Sequence, residues 1–244
     1  MKISFINEIS TICAKLGADI EEVAAGMGMD KRIGEQFLKA GIGYGASCFP
    51  KDTQALIQMA AQLNVDLPLL RAVNQINDRQ KEVLVEKALK RFGSLEGKRV
   101  ALLGLSFKPN TDDVRNAPSL SIIKSLLKQN AHVVAYDPIA MPNVKSIHPI
   151  FFAQNMEEAL QEADLAIIAT DWKEIVDFPL SKYKNKMKSP VLFDGRNCYS
   201  IDNAKSAGIE YYSIGRTAVL HETESPEINV NRKKLKSSQP SSQN

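Results

Sequence analysis

The 244 residues contain no stretch approaching the ~18 consecutive apolar residues that a membrane-spanning helix needs. The N-terminus breaks its apolar run at once, with Asn7 and Glu8 following Ile6. A secretory leader needs a longer apolar core. Cysteine is scarce. The three present, Cys13, Cys48 and Cys198, are odd in number and far apart. They form neither a disulfide framework nor a zinc-ligand spacing, and they fit a reducing, cytoplasmic setting. An excess of one charge is also missing: 31 Lys and Arg against 28 Asp and Glu leave a net +3, part of it in the tail. This balance calls for neither nucleic acid nor a membrane surface. His132, His148 and His221 are scattered without partners, so no metal is expected. No strand is followed by Gly-x-Gly-x-x-Gly, the turn that marks a dinucleotide site.

What remains is ordinary globular material, 44% hydrophobic and 24% charged, enough for one large domain or two small ones. Residues 2–17 carry Ile3, Ile6, Ile9, Ile12 and Leu16 at helical spacing, with Phe5 and Cys13 alongside. Gly17 ends that run. A short helix is expected over 19–28 with Asp19 as its cap, and another over 50–63 with Pro50 in its first turn. One long helical pattern runs from Pro68 to Phe92 and is closed by Gly93. Beyond it, strands alternate with helices. The strands are expected at 100–104, 132–136, 165–170, 190–194 and 210–214, with helices at 118–129 and 156–163 and one starting at 201. Short apolar runs separated by helices predict a parallel sheet with crossover helices, a Rossmann-like α/β unit. The expected fold class is α/β: an all-helical central segment, 1–92, joined by the long helix to a Rossmann-like parallel-sheet domain, 93–219. A disordered basic tail, 220–244, follows. Asp137 reads as a turn residue, Trp172 as packing at a helix start, and Thr111-Asp112-Asp113 as a loop cap rather than a metal site.

The segment Gly41-Ile42-Gly43-Tyr44-Gly45-Ala46-Ser47-Cys48-Phe49-Pro50-Lys51-Asp52 is the most informative. Its three alternating glycines let backbone N–H groups approach a ligand. Cys48 follows at a helix entrance, where partial positive charge favours a thiolate. Asp52 lies one helical turn on, on the same face, and can position or deprotonate a water. A nucleophile, an oxyanion-binding backbone and a base make a covalent acyl-transfer site. Residue chemistry alone leaves a buried structural cysteine open as the other reading. Cys13 and Cys198 lack the loop and read as structural.

Gly-x-Gly-x-x-x-Ser-Cys-Phe-Pro-Lys-Asp resembles the active-site signature of the UDP-glucose/GDP-mannose dehydrogenase family. The resemblance extends to Lys2–Glu8, Asp30-Lys31-Arg32-Ile33-Gly34 and Phe37-Leu38-Lys39 upstream, and downstream to Phe107-Lys108-Pro109-Asn110-Thr111-Asp112-Asp113-Val114-Arg115 and Phe193-Asp194-Gly195-Arg196-Asn197. It covers about residues 2–216. Ala46 stands where that family more often has glycine, a departure that is mild provided φ is negative there.

The resemblance implies a nucleotide-sugar 6-dehydrogenase, with UDP-glucose oxidised twice by NAD through a cysteine thiohemiacetal and a thioester. It implies Cys48 as nucleophile and Asp52 as activator of the hydrolytic water. Lys39, Gly41, Gly43, Tyr44 and Gly45 would wrap the UDP-sugar, while Phe107, Lys108 and Arg196 hold it at strand ends. Arg115 would reach the NAD phosphates. Arg32 would reach the substrate of a dimer partner, or else is a surface arginine beside a turn. The family's NAD-binding half and its Lys-x-x-x-Asn pair are not in this sequence. The isolated chain is therefore expected to be inactive as a dehydrogenase, being either one piece of a split enzyme with a separate N-terminal half or a truncated reading frame. Activity on GDP-mannose or a UDP-N-acetylhexosamine, a non-catalytic nucleotide-sugar-binding remnant, and a pure interaction scaffold are the competing readings. A homodimer built on the 2–17 and 68–92 helices is expected.

Overall fold

A computed structural model describes residues 1–46 and 48–220, with the backbone alone at Cys48. The expected tail lies outside the described residues from 221 onward. The chain opens with five helices: α1 (Lys2–Leu16), α2 (Ile20–Gly28), α3 (Cys48–Gln62), α4 (Pro68–Gln80) and α5 (Val83–Phe92). Gly17, at φ 75°, closes α1 in the left-handed conformation that glycine adopts without strain. Asp19 caps α2 by accepting from Glu21 N at 2.8 Å. α3 begins two residues earlier than Pro50 suggests, so that Cys48 is its first residue.

α1 buries only part of its apolar stripe, Ile6 fully and Ile9 partly, and fills out the inward face with small polar residues. Ser4, Ile6, Asn7, Ser10 and Cys13 are buried, while Phe5, Ile12 and Leu16 are exposed. The run expected as one helix over 68–92 arrives as two, interrupted at Lys81 and Glu82. There Lys81 N bonds Asp78 O and Glu82 N bonds Arg79 O, one residue tighter than α-helical bonding. The interruption exchanges the inward face: α4 buries Val73, Asn77 and Gln80, and α5 buries Leu84, Val85 and Ala88.

The sheet has strands β1 (Arg99–Leu103), β2 (His132–Tyr136), β3 (Phe151–Phe152), β4 (Leu165–Ile168), β5 (Val191–Asp194) and β6 (Glu210–Tyr212). Their order is 3-2-1-4-5-6 and every pairing is parallel. β3, only two residues long, escapes the periodicity, which needs at least four residues to register. Crossovers are made by α6 (Pro118–Lys128), α7 (Met141–Lys145), α8 (Met156–Leu160), α9 (Lys173–Val176), α10 (Leu180–Lys186) and α11 (Ile201–Ala207).

Both sheet faces are covered, which is why these strands read as unbroken apolar runs. Alternation divides them. Val100, Leu102, Leu165, Ile167, Val191 and Phe193 join one core with Ile6, Ile20, Ile42 and Leu84 of the helical layer. Ala101, Leu103, Ala166, Ile168, Leu192 and Tyr211 join the other, with Leu160, Tyr183 and Ala204. The helical segment thus packs on one face of the sheet and shares its core. That packing carries the loop 41–46 to the carboxyl ends of the strands.

Candidate active site

Strand order reverses between β1 and β4. In open α/β sheets the loops diverging there leave a crevice that binds ligands. A cleft of about 510 Å³ occupies that place, lined among others by Lys39, Gly43, Tyr44, Gly45, Phe107, Lys108, Asp171 and Arg196. The glycine loop forms one wall and the strand ends form the other.

Asn77 of α4 fixes the glycine loop. Its Oδ1 accepts from Tyr44 N at 2.9 Å and its Nδ2 donates to Tyr44 O at 3.2 Å. Gly43, at φ 86°, passes so close that an added Cβ would sit 2.9 Å from Asn77 Oδ1. Gly45 has no room either, because a Cβ there would lie 2.5 Å from Asn116 O. Ala46 adopts φ 69°, not the negative value expected from its side chain. The loop holds it there: Ala46 N donates to Arg115 O at 2.9 Å, and Ala46 O accepts from Asn116 Nδ2 at 3.2 Å.

Two buried aspartates organise the opposite wall. Asp137, directly after β2, is more than a turn residue. Its Oδ2 accepts from Leu105 N (2.7 Å), Ser106 N (3.1 Å) and Trp172 Nε1 (3.0 Å). Its Oδ1 accepts from Ile139 N and Ala140 N at 2.9 and 2.7 Å. It thereby gathers the loop that presents Phe107 and Lys108. Asp194, ending β5, does the same for the next loop: it accepts from Arg196 N (2.9 Å), Cys198 N (2.7 Å) and Tyr211 Oη (2.8 Å). Such charge-assisted bonds are the strong ones.

Arg196 donates from Nε to Ala169 O at 2.9 Å and from Nη1 to Gly43 O at 3.2 Å, tying the two walls together. Lys39 Nζ meets Asp171 Oδ2 at 2.9 Å, a second tie between the walls. Burial pushes the Asp171 carboxyl up, but the Lys39 bond and charge, with Arg196, outweigh it and hold Asp171 below the usual carboxylate range. Burial lowers Arg196, and Asp171 opposes it. Lys108 Nζ lies 5.4 Å from the Phe107 ring centre. The cleft offers cations, closely approaching glycine backbone and aromatic faces, which suit a phosphorylated ligand with a planar or sugar part.

Gly41, Arg32, Arg115 and Asp52, also anticipated from the sequence, lie outside the cleft lining. Gly41 is buried behind the loop. Arg32 is exposed and pairs with Asp30 at 2.6 Å. Arg115 pairs with Asp113 at 2.7 Å. Asp52 is exposed on α3, 3.8 Å from Lys51 Nζ. Cys48 heads α3 two residues beyond Ala46, and its side chain lies outside the described residues. Burial pushes the Cys198 thiol far up, with the carboxylates of Asp194 and Asp171 adding to it. It is not a thiolate at neutral pH.

Sequence reasoning missed Asn77, Asp171 and the part played by Asp137. A signal existed for Asn77, a polar residue standing on the apolar stripe of a helix. Asp171 gave none, because its partner Lys39 is 132 positions away.

A parallel sheet in this order, with the cleft at its switch point and a helical layer closing it, defines a doubly wound nucleotide-binding class of protein. Within that class, residues 1–79 match the central domain of the UDP-glucose/GDP-mannose dehydrogenase family, and residues 101–201 match its UDP binding domain. The chain belongs to the UDP-glucose/GDP-mannose dehydrogenase family. It is 57% identical over 221 residues to the UDP-glucose 6-dehydrogenase YwqF of Bacillus subtilis (strain 168), covering 90% of this chain and 50% of that protein. The UDP-glucose 6-dehydrogenase TuaD of the same organism is 48% identical over 220 residues, 89% of this chain and 48% of that one. Among solved structures, a UDP-glucose dehydrogenase from the archaeon Pyrobaculum islandicum superposes with TM-score 0.79 at 33% identity, covering 88% of this chain and 48% of the other. The chain spans about half the length of the curated relatives it matches.

Proposed function

We propose that this chain is the C-terminal part of a UDP-glucose 6-dehydrogenase and binds the nucleotide sugar in the cleft at the sheet's switch point. The observation that carries this is the meeting of the glycine loop with Phe107, Lys108 and Arg196 around one cavity. The 57% identity to a UDP-glucose 6-dehydrogenase supports UDP-glucose as the sugar. Lys108 and Arg196 face the diphosphate, Phe107 and Tyr44 pack on the planar and sugar parts, and the backbone of Gly43 and Gly45 comes close to the hexose. Lys39 closes the wall through Asp171, and Gly41 sets the loop's approach. Cys48, at the N-terminus of α3, attacks the C6 carbonyl carbon of the oxidised sugar: its sulfur forms the C–S bond and the carbonyl oxygen takes up the negative charge. Asp52, one turn further along α3, receives a proton from the water that later releases the acid.

The family's cofactor is NAD, and the described residues do not fit its main binding site. β1 is followed by Gly104-Leu105-Ser106 rather than a glycine-rich turn. Asp137, where a ribose-binding acid would stand, has both oxygens taken up by internal donors. Only Arg115 is assigned toward the cofactor, from the rim. The chain alone is inactive as a dehydrogenase, and a separate N-terminal half would complete it. Exposed Phe5, Ile12 and Leu16 on α1 support a homodimer, across which Arg32 reaches the partner's sugar. Among the described residues no helix is long and apolar enough to cross a membrane. The widely spaced cysteines support a reducing, cytoplasmic setting.

Calorimetry tests the cleft. UDP-glucuronate is expected to bind the chain, GDP-mannose to bind more weakly, and Arg196→Met to weaken UDP-glucuronate by about 10-fold or more, the loss of one charge-assisted contact. A chain that takes up none of these ligands would end the proposal.

A further inference from the structure

A second cavity, of about 440 Å³, opens behind the glycine loop between α1, the α4–α5 junction and the turn after β6. Four cations line it, Lys15, Arg79, Lys87 and Lys90, against two carboxylates, Glu8 and Glu86. None of the four cations makes an ion pair among the described residues. Lys87 is the most telling. Its ammonium donates to the carbonyl of Ser213, and the charge acting on it is another cation, Arg216. Arg216 is itself buried and has one carboxylate near it, Glu21 at 3.6 Å. A carbonyl satisfies a proton without balancing a charge, so Lys87 holds an uncompensated, desolvated cation at the cavity wall. Asn7, also on that wall and 1% exposed, has a buried Nδ2 with no partner among the described residues.

We propose that this cavity is a second ligand site, for a small multiply charged oxyanion of the phosphate type, and that its occupancy is felt at the glycine loop. The connection is one residue thick. Asn7 Oδ1 accepts from Gly41 N at 2.9 Å, and Gln80 Nε2 donates to Gly41 O at 2.8 Å. The opposite side of Gly41 lies against Arg196, whose Nη1 would be 3.3 Å from an added Cβ. Arg79 and Gln80 are chain neighbours in the last turn of α4. An anion held between Arg79 and Lys87 therefore fixes the turn that carries Gln80, and through Gly41 the position of Arg196. A phosphate group supplies the two negative charges the cavity lacks and acceptors for Lys87 and Arg79. Burial, reinforced by Arg216, already lowers Lys87 to about 8, the response of a cation with no counter-charge. The charged groups around it are Arg216 from the turn after β6, Glu86 and Lys90 on its own helix, Arg79 on α4, and Glu8 and Lys15 on α1. The anion site stands independently of the first cleft; its coupling rests on reading that cleft as the UDP-sugar site.

The test is a titration of the full chain followed by NMR of the Lys87 ammonium, with the first cleft saturated by UDP. Inorganic phosphate and a sugar monophosphate form separate arms, which distinguish a free from an esterified phosphate, and chloride of matched ionic strength is the control. Phosphate is expected to raise the Lys87 pKa from about 8 toward its ordinary 10.5. Calorimetric UDP affinity is expected to differ by about 5-fold or more between phosphate and chloride. Arg79→Gln combined with Lys90→Gln should abolish the Lys87 response, with an unchanged melting midpoint in chloride showing that the fold is intact. An ammonium that ignores both phosphates overturns the site. A responding ammonium with unaltered UDP affinity overturns the coupling. If UDP itself fails to bind, the fault lies with the first cleft, and the Lys87 titration still decides the second.

Discussion

Single residues in this chain carry costs and supports that their type alone does not reveal. Ala46 sits at φ 69°, where a β-carbon crowds the following carbonyl at a cost of about 1–2 kcal/mol. Ala46→Gly relieves that strain and adds some freedom to the unfolded chain, so a net gain of about 0.5–1 kcal/mol is expected from urea unfolding. Asp137→Asn places an NH2 against backbone and indole donors that now meet a carboxylate. A loss of about 3 kcal/mol is expected, with a shift in the emission of Trp172, the one tryptophan of the sequence. Lys87 gives a pH signature. Burial and Arg216 hold its folded value near 8 against 10.5 for the free side chain. Between those values the unfolded chain keeps the proton and the folded chain does not. This group's contribution to stability therefore rises with pH across that window and is flat below it. Comparing urea midpoints of wild type and Lys87→Met at either end of the window isolates the slope; equal slopes in the two proteins would remove the assignment.

At the scale of elements, α4 acts as a splint for the glycine loop. Its inward side chains at positions 77 and 80 are amides rather than aliphatics, and both grip backbone of the loop. Asn77→Ala removes two such bonds at roughly 1 kcal/mol each, leaving Tyr44 N and O unsatisfied. A loss of about 2 kcal/mol in stability is expected, together with weaker UDP-glucuronate binding by calorimetry. Undiminished binding would show that Tyr44 holds its place without α4. The interruption at Lys81 and Glu82 belongs to the same design: it lets α4 turn amides toward the loop while α5 turns Leu84, Val85 and Ala88 toward the sheet.

For the whole molecule, half the length of the relatives is matched, and the fold supplies the cleft proposed for the nucleotide sugar while the sequence carries no dinucleotide turn. Mixing the chain with a separately produced N-terminal half and UDP-glucose should yield NADH, where neither part alone does. Absence of rescue would count against a two-part enzyme. Light scattering should give the mass of a dimer, since α1 leaves Phe5, Ile12 and Leu16 in solvent. A monomer mass would refute the assignment of that stripe to a subunit contact.

The sequence alone determined the α/β class and the parallel sheet and singled out the segment around Cys48, because period, glycine spacing and strand-length apolar runs are local properties. It also pointed to Lys39, Tyr44, Phe107, Lys108 and Arg196, which the fold brings to one cleft. Tertiary structure decided the rest. Which face of α1 turns inward, why α4 and α5 separate, the positive φ of Ala46, the bundling of two loops by Asp137 and Asp194, and the Lys39–Asp171 tie all depend on partners far apart in the chain. A side chain's burial and its hydrogen-bond partner are set by the layer that packs over it, and no short window of sequence contains that layer.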